Sequence, residues 1–191
     1  MGTAIIVVIV LIAIVVLIAL WVAGIYNRLV KLRNNRENAF ANIDVQLKQR
    51  HDLIPQLVAT VKGYAEHEKE ILIRVTEARS AAMQANGIDE KIQAENRLWS
   101  ALSGLKVALE AYPDLKANQN FLQLQQEVSD IENKLSAVRR YFNTATRELN
   151  NAVETFPANM LAGMFGFKRE MMFEVPKEER AAYDKAPEIK F

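Results

Sequence analysis

The stretch AIIVVIVLIAIVVLIALWVA, residues 4–23, carries no charge, no Pro and no Gly, and its only hydrogen-bonding side chain is the Trp21 indole. At a 1.5 Å rise, about 20 helical residues cover roughly 30 Å, the thickness of a bilayer's hydrocarbon core. Leu, Ile and Val each favour insertion by about 0.3–0.6 kcal/mol at the centre of a span. The run reads as a single membrane-spanning helix, with residues 1–25 as the anchor. A cleaved signal peptide would show a basic start, a short apolar core and a small-x-small cleavage site, none of which is clear here. The chain has no Cys, which excludes a lipidated Cys anchor, disulfides and thiolate metal sites.

Working outward, Trp21 and Tyr26 bracket the exit from the apolar run, where amphipathic rings favour the headgroup layer. Beyond it stand Arg28, Lys31, Arg33 and Arg36 against Glu37, while no basic side chain precedes the run. The positive-inside rule therefore places the remainder of the chain in the cytoplasm, on a single pass through the inner, cytoplasmic membrane. Ala19 and Ala23 form a small-xxx-small pair, weak evidence for a helix-helix contact in the membrane.

Outside the anchor about 165 residues remain, enough for one domain with its own core. They carry all 24 basic and 23 acidic residues, so the soluble part is nearly neutral. A nucleic-acid binder would show a large basic excess, and none is expected as a partner. Gly and Pro are scarce and Ala, Leu, Glu, Lys, Gln and Arg plentiful, a composition suited to long helices. The expected fold is all-α, the anchor followed by an antiparallel four-helix bundle over residues 26–156 and a tail over 157–191.

The bundle follows from periodicity. Leu29, Leu32, Phe40, Ile43 and Leu47 recur in steps of three and four, with Arg36 and Arg50 on the same stripe. Asn is dense from Asn27 to Asn42, fitting either a seam that fixes register or plain solvated faces. Pro55, in RHDLIP, allows two accounts. Either one long helix is kinked there, because the stripe resumes in phase at Leu57 and Val61, or Asp52 caps a new helix with Pro55 in its first turn. Lengths favour the second, since four helices of roughly 38, 43, 35 and 58 Å can pack together whereas one helix over 26–84 would run to roughly 88 Å. The second helix then ends near Gln84 before Asn86-Gly87, and Asp89 caps a third that runs to Tyr112-Pro113. The fourth is the clearest, a coiled-coil-like repeat from Phe121 through Leu135 and Phe142 to Phe156, stopped by Pro157.

The tail opens with FPANMLAGMFGF, residues 156–167, and continues with Lys168 and Arg169. Such a segment either packs across the bundle end or touches the membrane interface, because Met and Phe beside basic residues suit a headgroup layer. In the four-helix arrangement an even number of passes returns it to the membrane end, whereas one helix unbroken through Pro55 to Gln84 would leave three passes and put it at the far end. Met160, Leu161, Met164, Phe165, Phe167, Lys168 and Arg169 are thus candidate interface residues, together with Trp21, Tyr26, Arg28 and Lys31. The charged remainder, with Pro176 and Pro187, reads as a short helix or wrapping arm.

Chemistry is harder to find. A di-iron bundle needs Glu-x-x-His pairs on two helices, and the chain holds only His51 and His67, neither in that spacing. There is no HExxH, no G-x-S-x-G and no phosphate-cradling Gly loop. No catalytic, cofactor or metal residue is nominated, and the chain is not expected to be an enzyme.

NIDVQLKQRHDLIPQLV at 42–58, KGYAEHE at 62–68, YPDLKANQNF from Tyr112, the Arg139-Arg140-Tyr141-Phe142-Asn143 stretch and FPANMLAGMFGF together resemble the LemA family of bacterial membrane proteins. RELN at 147–150 departs from the aromatic-Asn pair expected there. The resemblance implies one N-terminal membrane helix, an antiparallel helical bundle and no enzymatic activity. It associates the chain with membrane organisation, since one relative serves in building magnetosome membranes, and with membrane-protein quality control. The expected function is a membrane-anchored, homo-oligomeric scaffold contacting lipid and another membrane protein. The alternative is a ligand-sensing or adaptor bundle, for which Arg36 and Arg50 are the only candidate groups.

Overall fold

The computed structural model describes residues 2–173, and every regular element among them is helical. Helix α1 (Gly2–Lys62) begins in the apolar run, where a backbone without water must satisfy its own hydrogen bonds. Its apolar side chains there are open, Leu17 at 66 %, whereas Leu29 is 1 % exposed. The burial pattern thus changes within a few turns from none to one stripe, formed by Leu29, Arg36, Phe40, Ile43, Leu47, Arg50, Ile54, Leu57 and Val61. It matches the stripe read from the sequence except that Leu32 is only half-buried and Ile54 joins it.

Pro55 does not break α1. It sits inside the helix with its ring exposed, and Asp52 is an ordinary helical residue rather than a cap. A proline at 55 removes the N–H that would bond the carbonyl of His51, and an orphaned carbonyl in a buried helix is costly. Here Arg79 replaces it, with Nε donating to the His51 carbonyl at 2.7 Å. The helix ends instead at Lys62, where the N–H groups of Tyr64 and Ala65 both turn back to the Val61 carbonyl at 2.9 Å.

A 3-10 turn, Glu66–Glu68, leads into α2 (Lys69–Gln84), which is shorter than expected because residues 53–62 belong to α1. Gly87 takes φ 80° in the following turn, a value that favours glycine, and acts as N-cap of α3 (Ile88–Leu109). Asp89 is therefore not the cap but a first-turn residue, where its charge still suits the positive end of the helix. Glu90 closes the turn by accepting the Asn86 N–H at 2.9 Å. After the one-turn α4 (Pro113–Lys116), Asn118 caps α5 (Gln119–Glu154) by accepting the Phe121 N–H at 3.0 Å. The short α6 (Ala158–Ala162) follows. The tail beyond 173, with Pro176 and Pro187, lies outside the described residues.

The contacts divide the chain into two compact units. One combines the chain up to Lys48 with Glu132–Met171. In it α1 and α5 run antiparallel, Leu29 clustering with Ala152 and the Phe40 ring lying 5.6 Å from that of Phe142. The other is built from Gln49–Ile131. Its core takes Ile54, Leu57 and Val61 from α1, Leu72 and Val75 from α2, Leu98, Leu105 and Leu109 from α3, and Phe121 from α5. Each such buried side chain stabilises the fold by about 1.5–3 kcal/mol relative to exposure. At one edge the Tyr112 hydroxyl donates to Glu68 at 3.2 Å, and Asn118 donates to the Tyr64 hydroxyl at 2.8 Å.

Replacing Arg79 with Ala leaves the His51 carbonyl without its donor and should lower the unfolding free energy by about 1–3 kcal/mol. In a Pro55→Ala background residue 55 regains an N–H for the same carbonyl, and the loss should shrink. Denaturant titration of the four proteins in detergent measures the coupling. Equal losses in both backgrounds would show that Arg79 does not compensate the proline.

Candidate functional site

The membrane end of the first unit is assembled by a glycine turn. After α6, the Phe167 N–H bonds the Ala162 carbonyl at 2.9 Å and the Gly166 N–H bonds the Gly163 carbonyl at 3.2 Å, with Gly166 at φ 74°. This is the Schellman pattern, in which the left-handed residue reverses the chain and the next side chain packs back on the helix. That side chain is Phe167, buried with Leu29, Ala152 and Ala162, and flanked by Ile25 and Val153.

The turn brings the tail to the start of the bundle. The Tyr26 ring meets Phe165 edge-on at 5.0 Å and Phe167 at 6.1 Å, and the Arg33 guanidinium lies 5.3 Å over the Phe167 ring. Of the interface candidates, Trp21, Tyr26, Arg28, Lys31, Met160, Met164, Phe165, Lys168 and Arg169 are exposed. Leu161 is half-buried and Phe167 points inward. Arg169 pairs with Glu154 at 2.7 Å on the surface, where such a pair contributes little.

Beyond the turn the chain is clasped. Asn150 donates from Nδ2 to the Glu170 carbonyl at 2.9 Å and accepts the Glu170 N–H at 2.8 Å, a two-bond clamp on backbone outside any regular element. Arg36 completes it, with Nη1 3.2 Å from the Glu170 carboxylate, Nη2 donating to the Met171 carbonyl at 3.3 Å and its guanidinium 5.2 Å over Phe142. Sequence reasoning singled out Arg36 but missed Asn150 and Glu170, which stand twenty residues apart and meet only because the chain turns at Gly166 between them.

In the second unit Arg50 and His51 converge on Glu95 of α3. Arg50 pairs with one carboxylate oxygen, and His51 Nε2 donates to the other at 2.8 Å. Burial alone would push the Glu95 carboxyl up, but the His51 hydrogen bond and the Arg50 charge outweigh it and hold the pKa below its ordinary value. Both arginines on the α1 stripe are thus engaged by carboxylates of this chain. Glu95 was also missed, although it stands between Ile92 and Leu98 on the buried side of α3.

Residues 39–191 match the LemA family. The chain belongs to the LemA family. Protein LemA of Metamycoplasma hominis is 27% identical over 84% of this chain and 74% of its own length. Magnetosome protein MamQ of Magnetospirillum gryphiswaldense is 21% identical over 78% of this chain, and Magnetosome protein MamQ 1 of Paramagnetospirillum magneticum is likewise 21% identical over 78%. The chain spans 64% of the length of each of these two magnetosome relatives. None of these names is that of an enzyme. This LemA family member, with its exposed apolar helix, is a membrane-anchored helical protein.

Because the folded pKa of Glu95 is depressed, its contribution to stability is present above the unfolded value, about 4.3, and disappears as pH falls through the folded one. Glu95→Gln should abolish that acid dependence while costing about 3–5 kcal/mol near neutral pH, because it takes the carboxylate from a buried arginine. Denaturant midpoints at neutral and acid pH check both outcomes. A variant as stable as the parent near neutrality would remove the buried ion pair from the account.

Proposed function

We propose that this chain is a non-enzymatic, homo-oligomeric scaffold of the inner membrane, its helical bundle on the cytoplasmic side, organising lipid and membrane-protein partners. The observation that carries the reading is the continuity of α1, which passes from the apolar span into the packed α1–α5 pair with no linker. A partner bound to the first unit is thereby held at a fixed height and orientation to the bilayer, which suits organisation better than diffusion-limited capture. The relatives named for magnetosomes fit a role in organising membrane, and association through the Ala19 and Ala23 face would make the scaffold multivalent. The exposed basic residues Arg28, Lys31 and Arg33 favour the cytoplasmic side.

A sensing bundle, including one tied to membrane-protein quality control, is the weaker reading. Its ligand would have to displace Glu170 from Arg36 or Glu95 from Arg50.

Detergent-extracted protein should run as a multimer by mass photometry, and Ala19→Cys should form a disulfide dimer in native membranes. A monomer with no cross-link would sink the scaffold reading. For topology, Gln126→Cys on exposed α5 should resist a membrane-impermeant thiol reagent in intact cells and react after lysis. Labelling in intact cells would place the bundle on the other side.

A further inference from the structure

We infer that the segment from Phe156 to Phe165 is a second membrane foothold, seated in the headgroup layer of an anionic leaflet beside the point where the anchor emerges. The inference rests on the membrane anchoring proposed above and adds an interaction surface to it. The first argument is position. The apolar run ends at Ala23, so Tyr26 lies about 4.5 Å further along the helix axis, inside the interfacial layer of a span that fills the hydrocarbon core. The Phe165 ring stands 5.0 Å from Tyr26, which sets the turn after α6 at that same level.

The second argument is the character of the surface. One side of the segment is already used, with Ala162 and Phe167 packed on Leu29 and Ala152. The other side is open, Phe156 at 74 %, Met160 at 67 % and Met164 at 79 %, and no charged residue occurs from Phe156 to Phe167. Flexible Met and rigid Phe presented together in water are unfavourable, but in the boundary between headgroups and acyl chains they bury into a disordered apolar medium by about 5–10 Å.

Charge supplies the third argument and chooses the lipid. Arg28 and Lys31 on other sides of α1 and Lys168 just past the turn are exposed at this same end of the unit, with Arg33 held over Phe167. The acidic groups nearby are taken, Glu154 by Arg169 and Glu37 by Arg33 at 4.0 Å. The remaining basic excess faces a surface with which anionic headgroups are complementary. Two attachments per chain, one spanning and one interfacial, would also fix the rotation of α1 about its own axis, which a lone span leaves free.

The chain's lack of Cys allows a direct test on the whole 191-residue chain. Single spin labels at Met160→Cys, Met164→Cys, Leu17→Cys and Glu148→Cys are reconstituted in vesicles of phosphatidylethanolamine with phosphatidylglycerol, and separately of phosphatidylcholine. Collision with oxygen, which prefers lipid, is compared with collision with a water-soluble nickel chelate. The labels at 160 and 164 should show an oxygen-to-nickel ratio several-fold above that at 148 and below that at 17, larger in the phosphatidylglycerol vesicles. Ratios equal to that at 148 would place the segment in water and overturn the inference while leaving the anchor standing. Labels shielded from both reagents would mean a protein partner or second copy covers the surface, overturning it in favour of that contact. Equal depth in both lipids would refute the anionic preference. A label at 17 that collides freely with nickel would sink the anchor and the foothold together.

Discussion

One helix has to satisfy two solvents. In α1 the helix runs unbroken, the one backbone bond lost at Pro55 being replaced by Arg79, so what changes along it is which side chains need cover. In the span none do, because lipid accepts apolar surface from every direction, and the side chains from Ile5 to Leu20 are open accordingly. From Leu29 onward water imposes a stripe, and the rest of the protein is the set of helices that covers it. Glycine is no obstacle to this continuity. Gly24 lies at the change of solvent and the helix passes through it, since the neighbouring turns are bonded on both sides.

The stripe nevertheless contains two arginines, and the covering elements are organised by them as much as by apolar contact. A buried ion pair gains little net stability, because desolvating both charges roughly cancels their attraction. Its effect is selective, since any packing that leaves Arg50 without Glu95, or Arg36 without Glu170, strands a charge in an apolar environment. Apolar ridges alone tolerate sliding by one turn. A guanidinium that must meet one carboxylate does not, so α3 is fixed in register against the Arg50 end of α1 and the tail against the Arg36 end, each within its own unit.

Much of this was legible in the sequence, and the failures have physical causes. The span, the stripe on α1, the repeat on α5 and the stop near Pro157 all follow from side-chain periodicity, a property of neighbours in sequence. Pro55 was misjudged because its cost depends on whether another group can replace its missing N–H. That group, Arg79, comes from a different helix, which no local pattern reveals. The second helix was then drawn too long by the residues that α1 retains. Glu95 escaped notice because a single carboxylate among apolar neighbours is indistinguishable, in sequence, from one at a stripe's edge. Phe167 was grouped with the outward residues of its segment, yet the positive φ of Gly166 inverts the chain just before it.

Gly166 reverses the chain, the reversal puts Phe167 under Tyr26 and Arg33, and the continuing backbone then arrives in reach of Asn150 and Arg36. Each step is useless without the one before it. A segment outside helix or strand has no ladder of its own backbone bonds, so its N–H and C=O groups need dedicated partners. The Asn150 amide, able to donate and accept at once, answers one residue completely. Arg36 takes the next carbonyl, and its guanidinium face, having no proton to donate in that direction, lies over Phe142 instead. The arginine that looked like an error in the apolar stripe is therefore placed where an aromatic core, a carboxylate and a bare backbone carbonyl meet, and a planar, multiply donating cation is the side chain that satisfies all three.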